Sequence, residues 1–477
     1  TNQQLMTNWR WWMVVLLFVA TTVNYMDRQV LSLTWKEFIA PEFHWTDSDY
    51  GTITAVFSIF YAVAMLFAGK FVDWMGTKKG YLWAIGIWSF GACAHALCGW
   101  ATMHINGYES IEAMKAVETG TKAALAISSV SVWLFLAARA VLAMGESGNF
   151  PAAIKTTAEY FPKKDRAFAT SIFNAGASVG ALVAPATIPP LAAWLGWEMA
   201  FVVIGALGFI WMGFWVFMYD KPQNSKHVNA AELEYILQNE DKDEAPAPEE
   251  DTKEIPLWKC FTYRQTWSFI AGKFFTDGVW WFYLFWAPAY FQDQFGYKAS
   301  SGTGMLLIIT LYAIVTIISI FGGYLPKFFV EQKGMHPYTG RMLAMLIFAF
   351  FPLFALFAQP LGQFSAWWPA IVIGLAGAGH QAWSANLYST VGDMFPKSAV
   401  ATITGIGGMA GGISSFMINK GAGVLFTYSE NAGAAFTFLG FEGKEAGYMI
   451  MFCLCAVAYV VAWSAMKILV PKYKKIA

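Results

Sequence analysis

The sequence has few charged residues. Asp, Glu, Lys and Arg make up 13% of the 477 residues, whereas soluble proteins carry about 25%. Equal numbers of basic and acidic residues, 31 each, give a formal net charge of zero. This balance leaves no basic surplus for nucleic acid and no acidic tail. Hydrophobic residues make up 57%, and the mean hydropathy is +0.45, so we predict a membrane protein.

Reactive patterns are also scarce. The chain has five cysteines, an odd number without the spacing of a zinc site or a disulfide framework, and we interpret them as packing residues. We find no Walker loop, nucleophile arrangement or metal cluster in the sequence. We therefore expect no enzyme activity, cofactor or metal, and an ion gradient as the energy source.

Apolar segments recur along the whole chain. They are long and continuous, which favours helices over the alternating pattern of barrel strands. The first segment begins near Trp11 and is interpreted as a permanent helix rather than a signal peptide. We predict an all-α integral membrane protein with twelve transmembrane helices, over 11–33, 51–72, 80–101, 124–147, 167–193, 197–219, 265–291, 303–328, 340–359, 367–391, 399–425 and 446–470.

The basic residues are distributed unevenly between the loops. With the N-terminus inside, 22 of the 31 Lys and Arg residues fall on the inner side, 6 on the outer side and 3 within spans. Loops rich in Lys and Arg stay in the cytoplasm. We therefore predict that both termini are cytoplasmic.

The longest polar stretch divides the chain in the middle. We predict an N-terminal six-helix half over 1–219, a cytoplasmic linker over 220–262 and a C-terminal six-helix half over 263–477. The two halves resemble each other, because Gly69–Gly80 aligns with Gly323–Gly334. Such a parallel repeat predicts a substrate site between the halves near the bilayer midplane.

The linker contains two local signals. Asn229 with Glu232 three residues later resembles a capping box at the start of a short helix. The acidic, proline-containing stretch Glu244–Asp251 has the composition of a disordered segment.

The loop after the second helix carries a recognisable motif, Gly69-Lys-Phe-Val-Asp73-Trp-Met-Gly76-Thr-Lys78-Lys79. It resembles the loop motif of the major facilitator superfamily. In physical terms, Gly69 would permit close helix contact, Asp73 could face the positive N-terminal end of a neighbouring helix, and the two lysines would hold the loop inside. We predict a gating role for Gly69, Asp73, Lys78 and Lys79. The alternative is an ordinary positive loop.

A narrower resemblance covers the whole chain. It rests on Asn24–Arg28, Arg139, Gly145–Lys155, Glu159–Ala167 and Gly379–Ala382. These stretches are similar to those of the anion:cation symporter family, and within it to bacterial hexuronate transporters. The resemblance implies proton-coupled import of a sugar-acid anion by alternating access, in a monomer of the bacterial inner membrane. Import of an aldonate or another organic carboxylate, and a membrane sensor that binds such a ligand without transporting it, remain alternatives.

Ionisable residues within the predicted spans support a transport site. Each costs on the order of 3 kcal/mol on insertion scales, so such residues usually face a cavity or a partner. The guanidinium of Arg28 matches a carboxylate bidentately and keeps its charge. We predict Arg28 as the substrate anchor, with a structural ion pair as the alternative.

Two carboxyl groups are candidates for proton coupling. Glu146 lies seven residues after Arg139, two helical turns along one face. A partly dry cavity favours proton binding by a carboxylate, so we predict Glu146, Asp27 and Arg139 as the coupling residues. The alternative is that both carboxylates are permanently paired with arginines.

Other polar residues complete the predicted site. His380, Gln381 and Ser384 could hydrogen-bond sugar hydroxyl groups, and Tyr25 and Tyr61 offer rings for the apolar faces of a pyranose. We expect three further groups to be structural: Lys273 and Asp277 as an ion pair, and His95 as a satisfied buried histidine.

Overall fold

The computed structural model describes residues 5–238, 255–322 and 324–476, and it contains twelve long helices in this part of the chain. They confirm the predicted all-α fold. The helices are α1 (Trp9–Thr34), α2 (Asp47–Met75), α3 (Thr77–Ile105), α4 (Lys122–Tyr160), α5 (Lys163–Leu195), α6 (Trp197–Met218), α7 (Arg264–Phe295), α8 (Gly302–Gly322), α9 (Pro337–Gly362), α10 (Trp367–Met394), α11 (Lys397–Ala432) and α12 (Lys444–Leu469).

The helices differ in how apolar they are. Among the described residues, eight are long and apolar enough to cross a membrane: α2–α6, α8, α9 and α12. The remaining four, α1, α7, α10 and α11, contain polar residues such as Asp27, Lys273, His380 and Asn419. Polar groups in membrane helices mark functional positions. These four helices therefore carry a large share of the candidate site.

Three long helices are interrupted. A 3-10 turn at His95–Leu97 divides α3, and another at Phe351–Phe357 divides α9. In α4, a turn separates Lys122–Glu146 from Asn149–Tyr160. Pro151 lies in the first turn of the second stretch, where its missing N–H is tolerated. This break places Glu146 at a helix end.

Several short elements lie between the long helices, and the sequence predicted only the helix that begins after Asn229. A π-helical turn and a short α-helix follow α1, further short helices lie in loops, and a two-stranded hairpin precedes α12. The helical elements are Trp35–Ile39, Ala40–Phe43, Ile111–Lys115, Ala230–Leu237, Leu257–Cys260 and Leu325–Lys333, and the strands are β1 (Thr437–Phe438) and β2 (Phe441–Glu442). The strands are antiparallel, with Phe438 opposite Phe441.

The chain divides by its contacts into two compact units. Unit 1 comprises 1–31, 63–113 and 129–247, and unit 2 comprises 32–62, 114–128 and 248–477. In unit 1, α3 packs against α6, where Trp211 and Trp215 stack beside Tyr81. In unit 2, α7 packs against α11 and α12, and α8 against α10. Each unit combines segments from several parts of the chain, so the units do not test the predicted boundaries at 219 and 263. These boundaries remain a prediction.

The linker helix Ala230–Leu237 is anchored to α1. The side chain of Asn229 accepts a hydrogen bond from the Glu232 amide at 2.9 Å, as predicted for an N-cap. The Glu232 carboxylate does not complete a capping box. It accepts instead the amides of Trp9 and Arg10, at 3.2 and 2.8 Å, and the hydroxyl of Thr7. Glu232 therefore caps α1. The predicted disorder of Glu244–Asp251 lies outside the described residues, as does Gly323.

Candidate functional site

An ion pair between α1 and α4 forms the centre of the candidate site. The Nε of Arg28 donates to Oε2 of Glu146 at 3.0 Å, and both side chains are almost completely buried. The sequence left two roles open for Arg28, substrate anchor and structural ion pair. In this structure the Nε of the guanidinium donates to a carboxylate of the protein itself, so Arg28 already has an internal ion-pair partner.

Two neighbours hold this pair in position. Asn24 lies one helical turn before Arg28, and its Oδ1 accepts from Nη2 of Arg28 at 3.2 Å. The Nδ2 of Asn24 donates to the backbone oxygen of Glu146 at 3.3 Å. The Nη2 of Arg139 donates to the backbone oxygen of Arg28 at 3.3 Å. Sequence reasoning missed Asn24, although its spacing of four from Arg28 puts both on one helix face.

A glycine allows α4 to approach α3 at this level. A Cβ atom added to Gly145 would overlap the backbone of Trp88 on α3. Gly145 directly precedes Glu146, so the close contact of α4 with α3 fixes the position of the Glu146 carboxylate relative to α3. The residue before the helix break thus has a steric requirement that only glycine meets.

Asp27 occupies a different environment from its neighbour Arg28. Its side chain is 1% exposed, and neither carboxyl oxygen has a hydrogen bond of normal geometry to any residue that the structure describes. Trp88 and Arg139 interact with it favourably and Glu146 repels it. Asp27, Glu146 and the two arginines therefore form one buried electrostatic cluster in unit 1.

Tyr25 lies beside the same cluster. The guanidinium carbon of Arg28 is 4.9 Å from the centre of the Tyr25 ring, a cation–π distance. The ring is half-buried. The structure therefore brings together Tyr25, Asp27, Arg28, Arg139 and Glu146, five of the residues that the sequence predicted for the site.

A second polar cluster lies in unit 2. The Nζ of Lys273 is 2.6 Å from Oδ2 of Asp277 and 2.6 Å from the hydroxyl of Tyr388. The predicted ion pair is confirmed. Tyr388 was missed, although it lies seven residues after Gln381 on one face of α10. With 40% exposure it is the most accessible member of the cluster.

The predicted hydroxyl-binding residues on α10 differ in exposure. His380 is buried, its Nδ1 is 2.5 Å from the hydroxyl of Tyr459, and its ring stacks on Trp280. Gln381 and Ser384 are half-buried. His380 therefore already has a protein partner, whereas the other two face a more open environment.

The remaining aromatic and histidine predictions concern Tyr61 and His95. Tyr61 is half-buried in unit 2 and meets Trp281 edge to face, with 6.4 Å between ring centres. His95 is fully buried, with its Nδ1 2.7 Å from the oxygen of Gly91 and its ring stacked on Phe201. The predicted burial of His95 is confirmed, but the histidine is satisfied only at Nδ1, because its Nε2 is buried without a hydrogen bond to a described residue.

The loop motif differs from the predicted contacts in two ways. A Cβ added to Gly69 would meet no described atom within 4 Å, so Gly69 does not mediate close helix packing. At Gly80 an added Cβ would be 3.2 Å from Cα of Val72, so the close approach lies after the loop. Asp73 pairs with Lys155 at 3.2 Å instead of a helix N-terminus. Lys78 pairs with Asp220 at 3.6 Å.

The ion pair of Lys155 and Asp73 lies at the surface of the protein. Lys155 lies in the second stretch of α4 and its long side chain reaches the Asp73 carboxylate, which is 76% exposed. An exposed pair contributes little to stability, about 0–1 kcal/mol. It can therefore break and re-form readily. Lys79 is exposed.

The fold and the buried charges define a class of protein. In the described part of the chain, twelve long helices and a buried cluster of paired charges are typical of a multi-pass membrane transporter. The family model of the Major Facilitator Superfamily matches residues 17–418. The chain belongs to the Major Facilitator Superfamily.

Individual relatives match most of the chain. The hexuronate transporter of Escherichia coli strain K12 is 27% identical over 424 residues, which cover 87% of each chain. The galacturonate transporter of Dickeya chrysanthemi is 26% identical over 343 residues, covering 71% of this chain and 87% of the relative. The crystal structure of a D-xylose-proton symporter superposes with a TM-score of 0.69 at 15% identity, covering 96% of this chain and 98% of that one.

Proposed function

We propose that this protein imports a sugar-acid anion, specifically a hexuronate, by proton symport with alternating access. The buried ion pair of Arg28 and Glu146 carries the proposal. It is supported by relatives that transport hexuronate and galacturonate. Arg28 serves as the carboxylate anchor, and Glu146 as the group that exchanges protons.

The pairing suggests how protons and substrate are coupled. Glu146 and a substrate carboxylate compete for the same guanidinium, because Arg28 already donates to Glu146. When Glu146 takes up a proton it loses its charge, and its hydrogen bond to Arg28 weakens. Arg28 can then bind the substrate carboxylate bidentately. Loss of the proton reverses the exchange and releases the anion.

Asp27 is the second proton carrier in this proposal. Its carboxyl group is buried within the same electrostatic cluster, beside Trp88 and Arg139, and has no hydrogen bond of normal geometry to a described residue. Arg139 positions the backbone of α1 and balances the charge of both carboxyl groups. We propose the loop residues Gly69, Asp73, Lys78 and Lys79 as gating residues.

Further residues are proposed to recognise the sugar. Gln381 and Ser384 are the hydroxyl-binding candidates, together with His380, and Tyr25 and Tyr61 present aromatic rings. Half-burial of Gln381 and Ser384 favours these two over His380, which already contacts Tyr459.

The proposal includes an arrangement in the membrane. We place this protein as a monomer in the bacterial inner membrane, with both termini in the cytoplasm. The chain consists of one six-helix half over 1–219, a linker over 220–262 and a second six-helix half over 263–477. The excess of Lys and Arg in the inner loops supports this orientation. Reporter fusions at the C-terminus, active only on one side of the membrane, test it.

Uptake into proteoliposomes tests the function. Purified protein is reconstituted, a pH gradient (acid outside) is imposed, and radiolabelled glucuronate, galacturonate, galactonate and galactarate are compared. We expect a hexuronate to accumulate above its external concentration, and a neutral sugar added as a control, which lacks a carboxylate, not to be taken up. Preferred uptake of the aldonate would reassign the substrate. Binding without uptake under any gradient would indicate a sensor.

A matched carboxylate controls for nonspecific effects. Glu198 at the start of α6 is half-buried and lies in the same unit as Glu146. Glu198→Gln removes one carboxylate from this unit but leaves the cluster intact. We expect this variant to accumulate substrate like the parent protein, whereas Glu146→Gln does not.

A further inference from the structure

Four charged side chains form a closed ring in unit 2. Lys36 lies 3.1 Å from Asp47 and 2.8 Å from Asp293. Lys444 lies 2.5 Å from Asp47 and 2.8 Å from Asp293. Each lysine therefore contacts both aspartates, and the charges alternate around the ring. We call Lys36, Asp47, Asp293 and Lys444 the charge ring.

The charge ring is largely withdrawn from solvent. The side chain of Asp47 is 2% exposed, and those of Asp293 and Lys444 are about one-tenth exposed. The hydroxyl of Tyr448 donates a further hydrogen bond to Asp293 at 3.0 Å. Glu430, which is mostly exposed, lies 3.5 Å from Lys444 at the edge. Because these charged groups are both buried and paired, their interactions are screened less by solvent than those of exposed surface ion pairs.

The four residues come from both of the proposed halves of the chain. Lys36 follows α1 and Asp47 begins α2, so both belong to the proposed N-terminal half. Asp293 lies near the end of α7 and Lys444 begins α12, so both belong to the proposed C-terminal half. All four flank loops on the side proposed to be outside. One contact of the ring thus lies within each half, and two contacts join the halves.

The backbones of α2 and α11 also approach closely near the ring. A Cβ on Gly51 would lie 2.8 Å from the backbone oxygen of Asn419, and one on Gly423 would lie 2.6 Å from that of Asp47. Farther along α2, the hydroxyl oxygens of Ser58 and Ser415 are 2.7 Å apart. The ring lies at the end of a continuous contact between segments of the two proposed halves.

We propose that the charge ring is a separable closure of the outer side of the transporter. The proposal rests on the proposed function, because alternating access requires these segments to part. The ring can divide along its two cross-half contacts, Lys36 with Asp293 and Lys444 with Asp47. Each half then keeps its own pair, Lys36 with Asp47 and Lys444 with Asp293. Opening therefore leaves every charge of the ring with an opposite charge beside it.

This arrangement differs from a closure made of one lysine and one aspartate. Parting such a pair leaves a single charge on each side, which must be solvated as the contact breaks. In the charge ring each half is neutral before and after separation. The closure is specific, because each lysine of one half faces an aspartate of the other half. It is also reversible, because separation leaves no lysine or aspartate of the ring without an opposite charge.

Charge reversal within one half tests the proposal directly. The double variant K36D/D47K keeps the pair of the N-terminal half but places like charges across both cross-half contacts. The variant D293K/K444D does the same from the other half. The quadruple variant K36D/D47K/D293K/K444D restores opposite charges everywhere. A structural role of the individual residues would not predict that two damaging doubles combine into a restored protein.

The readout is the accessibility of Ser58. In a background with the five native cysteines replaced by alanine, Ser58→Cys is labelled in right-side-out vesicles with a membrane-impermeant thiol reagent. Ser58 is buried in the closed structure. We expect labelling at least about tenfold faster in each double variant, because repulsion shifts the population toward the open state. The quadruple variant should return close to the rate of the parent.

Two outcomes would overturn the proposal. One is labelling of both doubles at the parental rate, and the other is labelling of the quadruple as fast as the doubles. If a double variant does not fold, D293N/K444Q removes the cross-half attraction without repulsion and should also accelerate labelling. The assay needs no substrate. A protein that transports no sugar acid but shows the expected labelling pattern would refute the proposed function alone.

Discussion

Replacing Glu146 with glutamine should separate substrate binding from proton coupling. In the structure, Glu146 accepts a charge-assisted hydrogen bond of 3.0 Å from Arg28. Glutamine keeps the shape and can still accept a hydrogen bond, but it carries no charge and binds no proton. The variant therefore imitates the proton-loaded protein permanently.

The size of the effect follows from the two kinds of hydrogen bond. A hydrogen bond that involves a charged group contributes about 1.5–3 kcal/mol. The bond of Arg28 to Glu146 is charged on both sides and belongs near the upper end of this range, whereas the bond of Arg28 to the glutamine of the variant is charged only on Arg28 and belongs near the lower end. The substrate carboxylate would thus face a competitor weakened by about 1–1.5 kcal/mol, which corresponds to roughly 5- to 15-fold tighter binding. This gain should be largest in alkaline buffer, because protonation of Glu146 in the parent protein becomes less favourable as the pH rises.

The assay is hexuronate binding by calorimetry over a range of pH, combined with uptake. In the parent protein, substrate binding promotes proton uptake by Glu146, so affinity should fall as pH rises. In Glu146→Gln this part of the pH dependence should disappear. Exchange of labelled for unlabelled substrate should persist, and accumulation driven by a pH gradient should stop. Glu198→Gln should resemble the parent in every respect.

The reasoning would be refuted by weaker binding to Glu146→Gln combined with an unchanged pH dependence. It would also fail if the variant still accumulated hexuronate against a gradient. In that case the ion pair with Arg28 is structural, and Asp27 carries the coupled proton.

Three further predictions concern other parts of the protein. Arg28→Lys should lose most hexuronate affinity in calorimetry, because an ammonium group cannot reproduce the bidentate fork; near-normal binding would remove Arg28 from the anchor role. With Asp27 and Glu146 both carrying protons, import of one uronate moves one net positive charge, worth about 2.3 kcal/mol per 100 mV. An inside-negative potassium–valinomycin potential without a pH gradient should then accelerate uptake, and an unchanged initial rate would mean a single coupled proton. Glu232→Gln should lower the melting temperature by removing the charged cap of α1, at a cost of about 0.5–2 kcal/mol, whereas the exposed Glu234→Gln should not; equal melting curves would show that the cap is dispensable.

The long helices were predictable because their signal is local. A continuous apolar run needs no distant partner to be recognised, so the twelve predicted segments correspond to α1–α12. The hairpin before α12 was missed for the opposite reason. Its strands have only two residues each and depend on Gly440 and Gly443 in positive-φ conformations, a pattern too short for periodicity to detect.

The candidate site was only partly predictable. Charged residues in apolar runs identified Arg28 and Glu146 separately, but their hydrogen bond joins residues 118 apart in the chain. The contact of Glu232 with α1 spans more than 220 residues. Spacing rules describe neighbours on one helix, so they could not assign either partner. The same limit explains why Asp73 was expected to face a helix end and pairs instead with Lys155.

The distance along the chain between Arg28 and Glu146 has a consequence for synthesis in the cell. At roughly 5–20 residues per second, the 118 residues between the partners take about 6 to 24 s to translate. During this interval α1 is complete, whereas the carboxylate that accepts from Arg28 does not yet exist. Adjacent Asp27 and Arg28 point in different directions and cannot substitute for it. The ion pair of Arg28 therefore forms only after the first stretch of the fourth helix has been synthesised.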